Sequence, residues 1–283
     1  EPLSMVNGTT TMTGIALFRT ALVVYLASTV LYGLSLWGKR VFPARVATGL
    51  LALAWLVHTL SLVAIGIAAG GMPAIGLHES LSFFAWVMAA AYLAFQVKTK
   101  TRVLGAFVSP VIGLIMVIAS VGLGGTVGAP ATLQGSLVTG HMMLSVTGEA
   151  LFVLASLAGL MYLIQDGLIR RKRAGGTIRL FPSLGELDRI NHLCLLWGFP
   201  LLTLGILTGS LWARITWGSH WQWDPKQVWT LLAWGLYAFL LHQRLAIGWR
   251  GRRAARWSLA VLASLAVLMI VGKLFLRSLH PFV

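Results

Sequence analysis

Residues 217–242 read WGSHWQWDPKQVWTLLAWGLYAFLLH, an aromatic and polar stretch that gives way to a long apolar run. The change between the two halves has the pattern of a helix start. Asp224 is a good N-cap, Pro225 suits the first helical position, and Gln227 stands where a capping box places Glu or Gln. The sequence therefore predicts that a membrane-spanning helix begins at this point and that the preceding tryptophans lie at the membrane surface.

The composition of the whole chain supports a membrane protein. Of its 283 residues, 58% are hydrophobic and 10% are charged, and the mean hydropathy is +0.84. A soluble domain has a charged fraction nearer a quarter. The net charge of +15 comes from short basic clusters between apolar runs, so we interpret it as membrane topology and expect no nucleic-acid partner. The single cysteine, Cys194, excludes an internal disulfide, and there is no CxxCH motif for covalent haem attachment.

Apolar runs long enough to span a bilayer occur eight times. This predicts an all-α, polytopic membrane protein that forms one transmembrane domain over residues 1–283. Most basic residues follow the first, third, fifth and seventh runs, which places those connections in the cytoplasm and both termini on the outer side. The longest inner connection is then 166–191, and 214–227 is an outer segment. The predicted spans are 12–37, 46–70, 81–97, 103–125, 138–164, 192–213, 226–247 and 258–276.

The tryptophan-rich segment has two readings. Tryptophan is enriched where membrane meets water, so the segment could be an aromatic belt before a capped helix. It could instead be a platform for a large planar ligand, with Lys226 meeting a carboxylate. If the segment is helical, Trp217 and Trp221 share a face and Trp223 points elsewhere.

The histidines favour the platform. Ionisable residues within spans are costly and usually functional. His141 lies near the outer end of the fifth span and His280 just past the outer end of the eighth, a plausible pair of axial ligands for haem iron. His242 lies 17 residues after Pro225, about 25 Å along a helix and so towards the inner side. These positions suggest two haem sites.

Several stretches together resemble the cytochrome c assembly family. They are the tryptophan-rich segment, HMMLSVTGEALF at 141–152, GFPLLTLGILTGSLWA at 198–213, ESLSFFAW at 79–86 and the terminal Leu-His before Pro281. Within that family the chain looks like the CcsA (ResC) branch of the Ccs system of cytochrome c biogenesis. The resemblance runs from about residue 50 to the end and leaves the first span, residues 1–45, outside its clearest part.

The resemblance implies that non-covalent haem b crosses the membrane and is presented outside for thioether attachment to the CxxCH cysteines of apocytochrome c. The chain would be the synthase component of a holocytochrome c synthase, working with a CcsB (ResB) partner in a bacterial inner membrane or a thylakoid membrane. His141 and His280 would be the outer axial ligands, and His242 would share the inner haem with a ligand from CcsB. The remaining implied contacts with haem are Trp217, Gly218, Trp221, Trp223, Asp224, Lys226 and Trp229.

Five further residues keep alternative readings. His220 stands where the family commonly has an aromatic residue and is a spare ligand close to the proposed haem. His58 lies in the middle of a span and is either part of a helix-to-helix hydrogen bond or a stand-in ligand. We favour the hydrogen bond. Glu149 lies eight residues below His141, past a strip of small residues that either packs two helices together or leaves room for a cofactor. Lys273 and Arg277 either snorkel to the interface or pair with haem propionates.

Three other functions remain open. A membrane b-type cytochrome that carries electrons would need two histidines at matched depth on facing helices. A haem exporter of the CcmC type has a similar tryptophan signature but fewer spans. A cofactor-free permease with an aromatic lid would leave the placement of His141 and His280 without a role.

Overall fold

The computed structural model describes residues 2–38, 40–69, 76–99, 102–122, 135–172 and 181–275. These residues form eight α-helices and no strand, which confirms the all-α prediction. Each helix corresponds to one predicted span. The helices are α1 (Pro2–Gly38), α2 (Val41–Ala69), α3 (Leu77–Thr99), α4 (Gly105–Gly122, preceded by a 3₁₀ turn at Arg102–Leu104), α5 (Ser136–Arg170), α6 (Leu184–Trp217), α7 (Pro225–Leu245) and α8 (Gly251–Phe275).

Six of the helices, α1 to α6, are long and apolar enough to cross a membrane. Helix α7 is less apolar than these six, because it opens with Lys226 and Gln227 and closes with His242 to Arg244. The side chains of α8 are described only as far as Val267. The chain is thus a helical membrane protein. The placement of its termini on the outer side stays a prediction.

Most helices run past the apolar stretches that predicted them. Helix α6 is one example, since it begins eight residues before the predicted span. Its N-cap is Ser183, whose side chain accepts a hydrogen bond from the Glu186 N–H at 3.1 Å. A capped, polar first turn continues a helix beyond the apolar run without cost. Much of the predicted 166–191 connection is consequently helical, as the ends of α5 and α6.

The chain divides into two compact units, residues 1–135 and 136–283. In the first unit, α1 packs closely along α2. The hydroxyl of Ser61 donates to the Gly14 carbonyl at 2.7 Å, and that of Ser28 donates to the Ala47 carbonyl at 2.8 Å. Two buried tyrosines, Tyr32 and Tyr92, join α1 to α3 through their hydroxyls at 2.9 Å. Serine and tyrosine hydroxyls thus satisfy one another or the backbone where no water is present.

In the second unit, α5 and α6 form the central pair, with α7 and α8 packed around them. A buried amide joins three of these helices: Asn191 of α6 donates to the Ala155 carbonyl of α5 at 2.7 Å and to the Ser258 hydroxyl of α8 at 3.0 Å. The ring of Phe152 on α5 stacks on Tyr237 of α7. These contacts converge on α5. The predicted site lies in the same unit, at the beginning of α5, the end of α6 and the beginning of α7.

Candidate functional site

The tryptophan segment, residues 217–229, starts at the last residue of α6. Gly218 ends that helix in the left-handed conformation, with φ of 76°, and its N–H donates to the Arg214 carbonyl at 2.9 Å. Glycine carries no Cβ penalty in this conformation, which makes it a good helix terminator. Residues 218–224 then form bends and irregular chain. The segment is therefore a loop after Trp217, and the condition under which Trp217 and Trp221 would share a helix face is not met.

The predicted start of α7 is confirmed, with one difference in its hydrogen bonds. Asp224 is the N-cap, is only 2% exposed, and accepts from the Lys226 N–H at 2.9 Å, with Pro225 at the first helical position. Gln227 does not complete a capping box with Asp224. Its Oε1 atom accepts from the Gln222 N–H at 2.9 Å instead, which fastens the tryptophan segment to the first turn of α7.

The four tryptophans of the segment have different surroundings. Trp223 is 78% exposed and has a φ of 55°, uncommon for a bulky residue, while its ring meets Trp221 edge to face at 5.5 Å between centroids. Trp217 packs edge to face on Trp212, at 5.1 Å. Trp229 donates its indole N–H to the Leu265 carbonyl of α8 at 3.0 Å. Trp223 thus presents aromatic surface outward, whereas Trp229 also joins α7 to α8.

His141, on α5, is held by a backbone carbonyl of α6. Its Nδ1 atom lies 2.8 Å from the Gly205 oxygen and 3.4 Å from the Ser145 hydroxyl. Because a carbonyl can only accept, Nδ1 carries the proton and donates. The Nε2 atom then keeps its lone pair, and among the described residues it has no hydrogen-bond partner. This is the tautomer and the support that metal-binding histidines usually have.

A strip of small residues brings α5 and α6 this close. A Cβ atom added at Gly209 would lie 2.6 Å from both Nδ1 and Cε1 of His141, and one added at Gly205 would lie 2.4 Å from the Ser145 hydroxyl. One added at Gly148 would lie 2.9 Å from the Gly198 oxygen. Along these residues the strip is a close helix contact and leaves no room for a cofactor between the two helices, which resolves the alternative left open by the sequence.

Lys226 adds a positive charge beside His141. Its ammonium group interacts electrostatically with Glu149 on α5, with Asp224, and with His141. The half-buried Glu149 carboxylate, two helical turns below His141, thus has a cation at the start of α7 as its neighbour. The first half of α5 and the start of α7 therefore bring together one imidazole, one ammonium and one carboxylate that interact electrostatically.

His220, the spare ligand of the sequence analysis, has both ring nitrogens in contact with α6. Its Nδ1 lies 3.2 Å from the Ser210 hydroxyl and 3.2 Å from the Ser210 carbonyl. Its Nε2 lies 3.4 Å from Nη1 of Arg214. Among the described residues, His220 and His141 therefore differ in that only His141 keeps a ring nitrogen without a hydrogen-bond partner.

His242 is exposed on α7, near the end of the helix. Arg244, two residues further, is buried on another face, where it donates to the Asn191 amide oxygen at 2.8 Å and forms an ion pair with Asp188 at 3.0 Å. Arg244 is one of the basic residues around the end of the seventh apolar run, which the sequence pattern assigned to a cytoplasmic connection. That reading missed its structural role, for which an arginine inside a predicted span was the available signal.

In the first unit, His58 is fully buried and its Nε2 atom makes a 2.9 Å hydrogen bond with Ser82 of α3. The helix-to-helix hydrogen bond favoured for this residue is confirmed. Its Nδ1 atom has no partner, and its ring lies edge to face against Phe18 and Tyr25, at 5.9 Å from each. His58 therefore joins three helices of the first unit.

Three predicted residues lie outside the described part of the chain. These are His280 and Arg277, together with the side chain of Lys273 in α8. Within the described residues, no three His, Cys, Asp or Glu side chains form a group suited to a bare metal ion. The second axial ligand of an outer haem consequently stays a prediction.

The family model of the cytochrome C assembly protein matches residues 74–282, nearly three quarters of the sequence. The chain belongs to the cytochrome c assembly family. The match covers α3 to α8, and it contains the tryptophan segment and all the described histidines except His58.

Curated relatives extend this similarity over most of the chain. The cytochrome c biogenesis protein CcsA of Pyropia yezoensis is 29% identical over 295 residues, which cover 87% of this chain and 91% of the relative. CcsA of Parasynechococcus marenigrum is 32% identical over 260 residues, covering 82% and 85%. CcsA of Chlamydomonas reinhardtii is 34% identical over 194 residues, covering 66% and 54%. Members of the family thus occur in both algae and cyanobacteria.

A solved structure, the cytochrome c heme lyase CcmF, has a similar fold. The TM-score is 0.68 at 18% sequence identity, over 95% of this chain and 47% of CcmF. The chain thus spans about half the length of that protein. At this identity the likeness concerns the fold alone.

Proposed function

We propose that this cytochrome c assembly protein binds haem at the outer ends of α5, α6 and α7 and presents it to the CxxCH cysteines of apocytochrome c. The observation that carries the proposal is the orientation of His141, whose Nδ1–H is held by Gly205 at 2.8 Å while Nε2 has no partner among the described residues. A b-type haem needs such a nitrogen, because its iron is bound only by side chains.

The residues around His141 suit the rest of a haem molecule. The exposed Trp223 and its neighbour Trp221 offer flat apolar surface on which the large aromatic face of a porphyrin can pack. Lys226 supplies a cation near His141 that would attract a propionate carboxylate. Asp224 and Gly218 shape the segment as helix cap and helix terminator, and they act on haem through the tryptophans that they position.

The second outer ligand in this proposal is His280, as the resemblance implies. Lys273 and Arg277 precede it by less than two helical turns and add positive charge for the propionates. Together with Lys226 they would make the outer site cationic. A haem with two propionates would then be held by charge, by stacking and by iron coordination.

His242 would serve a second, inner haem together with a ligand from a CcsB-type partner. Two residues along a helix turn the side chain by about 200°, so the burial of Arg244 against α6 leaves His242 facing away from α6. An exposed histidine on a membrane helix is costly unless another chain covers it. The exposed position of His242 thus supports a shared site.

In this role the chain is the haem-handling component of a synthase, in a bacterial inner membrane or a thylakoid membrane. Haem supplies two vinyl groups, and each cysteine S–H adds across one vinyl double bond without an external oxidant. The residues of this chain hold and orient the reactants: His141 fixes the iron, the tryptophans fix the plane of the ring, and the exposed outer segment leaves access for the apocytochrome.

The absorption spectrum of the detergent-purified protein, oxidised and reduced, tests the proposal. Haem-replete wild-type protein is expected to show a b-type spectrum, and production together with CcsB and an apocytochrome is expected to yield thioether-linked haem. Both signals should fall at least about tenfold in His141→Ala, because a metal site loses most of its affinity when one coordinating side chain is removed. His78→Ala, in the first unit, is the control and should keep both. If wild-type protein produced together with CcsB showed no haem absorption, the proposal would be refuted.

A further inference from the structure

His220 is the described histidine whose two ring nitrogens both contact a neighbouring helix. Arg214 can only donate, so its Nη1 atom donates to Nε2 of His220 over 3.4 Å. The proton of a neutral imidazole then sits on Nδ1, which donates to the Ser210 carbonyl at 3.2 Å. The imidazole ring is thus hydrogen-bonded to α6 at two places, the Arg214 guanidinium and the Ser210 carbonyl.

The other end of the same segment is fastened to α7. Gln227 accepts from the Gln222 N–H at 2.9 Å. The Ser219 hydroxyl, next to His220, donates to the Trp221 carbonyl at 2.9 Å. Trp221 and Trp223 therefore lie on a short piece of chain that is held at both ends.

The conformation of Trp223 shows what these attachments must overcome. Its φ of 55° lies in the left-handed region, which bulky residues avoid and which persists only where the surroundings impose it. Its side chain is 78% exposed, so packing of the indole does not impose this backbone. The backbone around it is held by the hydrogen bonds of His220 and Gln222 before it and by the Asp224 helix cap after it.

We propose that His220 is a positioning residue, which ties the tryptophan segment to α6 through Ser210 and Arg214 and so sets the orientation of Trp221 and Trp223. It is no iron ligand, because the Nε2 lone pair is directed to the Arg214 guanidinium and Nδ1 carries the proton. The attachment itself is independent of haem. Its consequence for haem binding rests on the proposed function.

Two substitutions at His220 separate positioning from coordination. His220→Gln keeps one donor for the Ser210 carbonyl and one acceptor for Arg214, but no imidazole nitrogen for iron. His220→Leu has a similar size and keeps neither bond. Arg214→Met removes the same contact from the α6 side and serves as the second test if His220→Leu fails to fold.

Hydrogen exchange of the full chain in detergent, without haem, measures the attachment directly. Amides of residues 219–223 are expected to exchange about tenfold faster in His220→Leu and Arg214→Met, since about one net hydrogen bond is lost, and at the wild-type rate in His220→Gln. Amides in the middle of α6 should not change and report that the variants are folded. Unchanged exchange in both Leu and Met variants would overturn the proposal.

Haem titration of the same three proteins tests the consequence. His220→Gln should bind haem as the wild type does, with the same absorption maxima. His220→Leu should bind about tenfold more weakly with unchanged maxima, because the ligands are intact and the platform is not. Altered maxima in His220→Gln would identify His220 as a ligand and overturn the proposal. Absence of haem in every protein would refute the proposed function and leave the exchange result to decide on the attachment.

Discussion

Arg244→Met should be the most destabilising single change in the second unit. The substitution leaves the partly buried Asp188 carboxylate without its ion-pair partner and the Asn191 amide oxygen without its donor. Removing one member of a buried pair typically costs about 3–5 kcal/mol, because the other charge stays buried and unpaired. For a chain of this size that corresponds to a fall of about 10 °C in the unfolding midpoint.

Thermal unfolding in detergent, followed by tryptophan fluorescence, measures this effect. Arg250→Met is the matched control, since Arg250 is exposed a few residues further along the chain, and its midpoint should stay within about 2 °C of wild type. The double variant with Asp188→Asn should lose less than the sum of the two single changes, since it removes the unpaired charge. Equal midpoints for the Arg244 and Arg250 variants would show that the buried pair contributes nothing.

Gly209→Leu should abolish haem retention although His141 itself is untouched. A Cβ atom at position 209 would already lie 2.6 Å from Nδ1 and Cε1 of the imidazole, so the ring must move. Movement breaks its hydrogen bond to Gly205, the contact that fixes the tautomer. Loss of such a supporting partner lowers metal affinity by about 10- to 100-fold, and a displaced ring adds to that loss.

Haem titration followed by absorption measures the affinity of this variant. Gly235→Leu, on α7, is the control, because a Cβ atom there meets nothing within 4 Å, and its haem affinity should equal that of the wild type. The unfolding midpoint of the Gly209 variant separates a local effect from loss of the fold. Wild-type haem affinity in Gly209→Leu would mean that the position of the His141 ring does not matter.

The apolar runs were sufficient to predict the number of helices and their order. Local rules were also sufficient for the start of α7, because the residue types of Asp224 and Pro225 specify a cap and a first turn by themselves. The end of α6 at Gly218 was missed, since glycine terminates a helix only when the chain adopts a positive φ, which the neighbours decide.

The supporting contacts of the site could not be predicted because they join residues far apart in the sequence. The carbonyl that holds His141 belongs to Gly205, 64 residues later, and nothing local to either residue indicates the pair. The same holds for Arg244 and Asp188, 56 residues apart. His220 was interpreted as a spare ligand because residue type alone does not show that Arg214 and Ser210 already use both nitrogens.

Whether the Nε2 atom of His141 binds haem iron is tested most directly by chemical rescue of His141→Gly. Removing the imidazole leaves a space beside the Gly205 carbonyl that free imidazole can fill, and two nitrogen ligands give iron a low-spin spectrum. The low-spin spectrum of the wild type should be lost in His141→Gly and return when imidazole is added to the buffer. A variant that shows the wild-type low-spin spectrum without imidazole would contradict the assignment of His141 as ligand.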